Sequence, residues 1–102
     1  MKALSEGQIA IVTRRAGALS DPTRLRILEQ LHRRPQAVGQ IAAALAVPQS
    51  TVSRHLQVLF MAGLVHRQRD ASAVIYSSES RELLEWCRRL AAPRLRSGTP
   101  AG

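Results

Sequence analysis

Apolar residues recur along this chain in two rhythms, a helical one as far as Met61 and an alternating one soon after it. Ser5, with Gln8 three residues on, has the form of a capping box, and Ile9, Val12, Ala16 and Leu19 follow at helical spacing. They predict a first helix over about 6–19. Asp21 and Pro22 predict the start of a second, because an Asp side chain accepts from the free amides of a first turn and Pro at N1 has no amide to leave unpaired. Leu25, Ile27, Leu28 and Leu31 mark its buried side, and Pro35 ends it. A short third helix is expected from Val38 to Leu45, with Ile41, Ala42 and Leu45 inward. After a break at Ala46, Val47 and Pro48, a fourth runs from Gln49 to Met61 with Val52, Leu56 and Leu59 inward, and Gly63 follows as a left-handed C-cap. Two helices joined by so short a connection constitute a helix-turn-helix.

Beyond Gly63 the period is two. Val65, Arg67 and Arg69 share one side, and Val74 and Tyr76 alternate after the polar break Asp70-Ala71-Ser72, which predicts a β-hairpin. A last helix is expected to begin near Ser78 or Ser80, with Glu79 and Glu82 at its positive end and Leu83, Trp86, Cys87 and Leu90 as a stripe. Pro93 ends or kinks it. The Arg, Ser, Gly and Pro residues that follow read as a disordered tail over 96–102, leaving one domain over 1–95.

Composition narrows the picture. A chain of 102 residues suffices for one compact domain, and with 45% hydrophobic but only 3% aromatic residues its core must be built from Leu, Ile, Val and Ala. The formal charge of +8 favours a polyanionic partner, nucleic acid first and an anionic membrane surface second, over a merely soluble basic surface. No apolar run is long enough to span a bilayer. A single cysteine, Cys87, and the absence of a charged leader before an apolar run make the cytoplasm the expected location.

With Val52, Leu56 and Leu59 turned inward, the fourth helix sends Ser50, Ser53, Arg54 and Gln57 to the opposite face, with Gln49 and Thr51 in its first turn. Such a face suits the major groove of double-stranded DNA, because Ser and Gln can bond to base edges or phosphates and Arg can grip guanine or phosphate. Arg67, Arg69 and Ser72 of the hairpin suit phosphate or minor-groove contact, although a charged hairpin can also be only a protected, solvated edge. His55, at the margin of the buried stripe, is expected to pack rather than to read a base. The first and last helices present Ile9, Val12 and Ala16, and Leu83, Trp86, Cys87 and Leu90, more apolar surface than one small core absorbs. A homodimer would bury the surplus; closure of the monomer core is the alternative. No Ser/His/Asp or Cys/His arrangement can be argued, so no catalysis and no cofactor are expected. A protein-interaction module that uses the same scaffold without DNA is the alternative function.

Three blocks, Leu19-Ser20-Asp21-Pro22-Thr23-Arg24-Leu25-Arg26-Ile27-Leu28, Gln49-Ser50-Thr51-Val52-Ser53-Arg54-His55-Leu56, and Ala62-Gly63-Leu64-Val65 with a wing ending in Tyr76, together resemble the ArsR/SmtB family of bacterial repressors over roughly residues 8–92. The resemblance implies a mainly α winged helix-turn-helix in the order α-α-α-α-β-β-α, dimerising through its first and last helices, that binds an inverted repeat and is released by an inducer. Departures bear on the inducer. Where members that sense metal on the third helix carry Cys-x-Cys, this chain has Ala37 and Gly39, and no His follows His66 to supply the last-helix metal site of other members. Metal-independent control is therefore expected. Persulfide-sensing members pair a last-helix Cys with one on the second helix, where this chain has residues such as Glu29, so Cys87 is either a sensor of another kind or a packing residue. Ala46 and Ala71 stand where members often have Gly, and Pro48 where they have a Ser cap.

Overall fold

The computed structural model describes residues 2–93; the predicted tail over 96–102 lies outside them. Five helices and three strands follow in the order α1 (Glu6–Leu19), α2 (Pro22–Arg33), β1 (Gln36–Ala37), α3 (Val38–Leu45), α4 (Gln49–Met61), β2 (Val65–Asp70), β3 (Ala73–Ser78) and α5 (Leu83–Leu90). The helix starts have the predicted chemistry. Ser5 Oγ accepts from the Gln8 amide at 3.0 Å while Gln8 Oε1 accepts from the Ser5 amide at 2.9 Å, and Asp21 Oδ2 accepts from the Arg24 amide at 3.0 Å. The core lies where α2, α3 and α4 converge: Ile27, Leu28 and Leu31 meet Ile41 and Ala42, and Val52, Leu56 and Leu59 fill the centre with no exposed surface. Each large aliphatic side chain so buried contributes about 1.5–3 kcal/mol.

The hairpin is part of a larger sheet than expected. β1 pairs antiparallel with β3, Gln36 opposite Tyr76 and Ala37 opposite Ile75, giving the strand order β1-β3-β2. Two residues carry no readable periodicity, and one of them is a glutamine in the core. Gln36 is only 1% exposed, yet its amide Nε2 donates to the carbonyls of Gln30 at 2.7 Å and Arg34 at 3.3 Å, partners that the end of α2 would otherwise leave unfilled.

Two expectations for the last helix are corrected. It begins at Leu83, not at Ser78 or Ser80, because the sheet holds the chain longer: Ser78 still pairs with Val65, and the Glu79 amide donates to the Leu64 carbonyl at 3.1 Å. Glu79 therefore pairs with His66 instead of facing the helix end, while Ser80 Oγ accepts from the Glu82 amide at 3.1 Å. Leu83, placed with the dimer stripe by its spacing, is 7% exposed and belongs to the core of the chain itself. The helix closes at Leu90, ahead of Pro93.

Gly63 closes α4 at φ 79°, where a Cβ would stand 3.1 Å from Arg15 Nη2. Arg15 Nε in turn donates to the Ala62 carbonyl at 3.1 Å, clamping α1 to the end of α4. No helix among the described residues is long and apolar enough to cross a membrane.

Candidate nucleic-acid interface

α4 is pressed into the core along one side and bare along the other. Val52, Leu56 and Leu59 anchor it, and Gln49, Ser50, Ser53, Arg54 and Gln57 are all exposed on the remaining surface. Thr51 is half-buried and contributes only part of its side chain to that face. The α3–α4 connection sets the angle of entry. It turns through Ala46 in the left-handed region at φ 58°, and α4 then starts directly after Pro48 with no side-chain cap. Gly39, near the start of α3, lets Gln49 come close: a Cβ there would lie 3.3 Å from Gln49 Nε2.

The wing is a two-stranded extension beside α4, with Arg67 opposite Tyr76 and Arg69 opposite Val74. Its two arginines differ. The Arg67 guanidinium sits 3.9 Å from the centroid of the Phe60 ring, with Nη1 3.5 Å from Gln57 Oε1, so it lies across the base of the wing and joins it to α4. Arg69 is exposed farther out, and Ser72 is exposed in the two-residue loop where Ala71 holds φ 57°. Three close contacts between a basic and an acidic side chain occur among the described residues, His55 with Asp21, His66 with Glu79 and Arg88 with Glu85, and none engages Arg54, Arg67 or Arg69. Among the described residues, no carboxylate within ion-pair distance offsets these three guanidiniums.

His55 packs at the margin, as its spacing suggested. Its Nδ1 lies 3.1 Å from Arg24 Nη1 and its Nε2 3.9 Å from Asp21 Oδ2. The Arg24 amide bond to Asp21 is the main cause that holds this carboxyl below its ordinary value of 3.8; partial burial opposes it, and the Arg24 charge adds to it. Arg24 and Phe60 carry contacts at this site that periodicity does not announce: Arg24 falls at helical spacing from Ile27, Leu28 and Leu31, and Phe60 packs partly against the core, but spacing along one helix does not name a partner on another element.

Elsewhere on the surface, Ile9, Val12 and Ala16 of α1 are exposed, as are Trp86 (59%) and Leu90 (78%) of α5. Cys87 is half-buried in an open cleft of about 370 Å³ between α2 and α5, with Leu25 and Glu29 opposite it. Among the described residues no three His, Cys, Asp or Glu side chains gather as a metal would need.

A family profile described as bacterial regulatory protein, arsR family, matches residues 21–67. The chain is similar to nodulation protein NolR of Rhizobium meliloti, 40% identical over 68 residues, which cover 67% of this chain and 56% of that protein. It is also similar to the HTH-type transcriptional regulator KmtR of Mycobacterium tuberculosis, 34% identical over 77 residues, 76% of this chain and 59% of the relative. It therefore spans under two thirds of the length of these curated relatives. Among solved structures it resembles the homodimeric winged helix-turn-helix DNA-binding domain of a possible ArsR-family regulator from Mycobacterium bovis, with a TM-score of 0.78 and 29% identity over 89% of this chain and 90% of that one. NolR from Sinorhizobium fredii superposes with a TM-score of 0.73 at 33% identity, covering 89% of this chain and 94% of its own.

Proposed function

The chain belongs to the arsR family of bacterial regulatory proteins, and from that premise we propose that it is a cytoplasmic, homodimeric transcriptional repressor reading an inverted-repeat operator in double-stranded DNA. The observation that carries this is the bare face of α4: Ser50, Ser53 and Arg54 are exposed on a helix whose opposite side is wholly buried. In a major groove Arg54 would contact guanine or phosphate, and Gln49, Ser50, Thr51, Ser53 and Gln57 would bond to base edges and backbone. Arg69 and Ser72 reach the flanking backbone from the wing. Arg67 contributes charge near α4 rather than at the tip, because Phe60 and Gln57 hold it there.

A two-fold axis through Ile9, Val12 and Ala16 of α1 and Trp86, Cys87 and Leu90 of α5 would bury the exposed apolar faces and set two copies of α4 about 34 Å apart, one turn of DNA. Control is metal-independent in this reading, because Ala37 and Gly39 stand where third-helix metal sensors carry Cys-x-Cys and no His follows His66 to supply a last-helix site.

The test is selection from random-sequence DNA followed by gel shifts across salt concentrations. An inverted repeat should be enriched, and the log–log salt dependence should fall by about 0.9 for each phosphate contacted. Arg54→Ala should weaken binding to the selected site by about 1–3 kcal/mol while leaving thermal unfolding unchanged. A flat salt response, or Arg54→Ala binding as tightly as wild type, would overturn the reading.

A further inference from the structure

One side chain joins three parts of the fold. Arg24 Nε donates to the Ala18 carbonyl at 2.6 Å, and Nη2 lies 3.5 Å from that of Gly17, which also accepts from Ser20. Both carbonyls belong to the last turn of α1, where helices lack internal partners. The remaining Nη1 is 3.1 Å from His55 Nδ1, in the middle of α4. A guanidinium can only donate, so Nδ1 accepts and the ring proton sits on Nε2, facing Asp21 Oδ2 at 3.9 Å. Asp21 in turn accepts from the Arg24 backbone amide, closing a ring of three residues around the start of α2. The His55 side chain is only 19% exposed, so little water competes for its bond to Arg24.

His55 lies next to Arg54 and two residues from Ser53, on the helix proposed to read DNA. Polar bonds tie that helix to α1 at two separate points. At its end, Arg15 holds the Ala62 carbonyl; at its middle, Arg24 holds His55. Val52, Leu56 and Leu59 seat α4 in the core, and these two polar points add a directional tie to α1 at its middle and its end. We propose that Arg24, acting through His55, is a positioning residue that locks the direction of α4 to that of α1, so that the geometry of the α1 dimer contact is passed to the DNA-reading face. This rests on the dimeric operator reading above, and it concerns which half-site spacing the dimer accepts rather than whether it binds.

The experiment uses the operator that the full-length wild-type protein selects from random DNA, together with versions carrying one base pair more or fewer between the half-sites. Each change moves the half-sites by about 3.4 Å and turns them by about 35°. Wild type should lose about tenfold or more in affinity on either altered site. Arg24→Gln and His55→Leu should bind the unaltered operator more weakly yet lose less than about threefold on changing the spacing, because the mid-helix tie between α4 and α1 is gone and small shifts of α4 on the core are no longer opposed. His55→Gln, whose amide oxygen can still accept from Arg24, should keep the wild-type preference. Should Arg24→Gln fold poorly by circular dichroism, His55→Leu decides, since it leaves the bonds from Arg24 to α1 in place. The proposal fails if His55→Leu retains the wild-type spacing penalty, or if His55→Gln loses it. A wild type that selects no inverted repeat overturns the operator reading itself, and this inference with it.

Discussion

At the scale of single residues, two alanines pay a backbone cost that glycine would avoid. Ala46 and Ala71 occupy the left-handed region at φ 58° and 57°, where a Cβ crowds the following carbonyl. The methyl of Ala46 is exposed, so removing it forfeits no packing. Ala46→Gly should therefore stabilise the fold by about 0.5–1 kcal/mol after allowing for the greater freedom of glycine in the unfolded chain, seen as a rise of a few degrees in melting temperature. A fall would mean that the turn before α4 is set by something other than this strain. Gly63 presents the converse case, a position at φ 79° already filled by glycine. Its place after an amphipathic run was readable without coordinates. The role of Arg67 was not, because its partners Phe60 and Gln57 lie on another element.

Among the elements, α2 shows how a cap couples to pH. The Asp21 carboxyl is held below its ordinary value chiefly by the Arg24 amide it accepts from, so its ionised form favours the folded chain. That contribution is complete above pH 3.8. As pH falls below this, the unfolded chain takes up the proton first, and the advantage is gone once the lower folded-state value has been passed. Asn caps a helix as well as Asp but does not ionise. Wild type should accordingly be more stable than Asp21→Asn near neutrality, and the two should converge as pH falls through that window in denaturant titrations. A difference independent of pH would remove the charge from the explanation. The start of α5 illustrates the opposite limit of local reading. Ser78, Glu79 and Ser80 have the composition of a helix start, yet the pairing of Ser78 with Val65 and of the Glu79 amide with Leu64 keeps them in the sheet.

For the whole molecule, the decisive feature is apolar surface that one chain leaves uncovered. Trp86 and Leu90 on α5, with Ile9 and Val12 on α1, stand in solvent although the core is complete without them. In the proposed dimer they are buried. Leu90→Asp or Trp86→Glu should therefore yield monomers in sedimentation while retaining the helical spectrum, and should weaken operator binding by at least about a hundredfold as two linked half-site contacts become independent. An unchanged sedimentation coefficient would place the interface elsewhere. A charge at Leu83 would instead disrupt the core of the chain itself.

The amino-acid order alone determined the first four helices, the presence of a fifth, the hairpin and the polar face of α4, because caps, Pro and Gly, and apolar spacing act within a few residues of one another. Only the folded chain decided that Gln36 is buried, that Leu83 turns inward, that Arg67 belongs to Phe60 and that Arg24 reaches His55. Each of these depends on which element comes to lie beside which, and that is settled by packing residues far apart in the chain into one core.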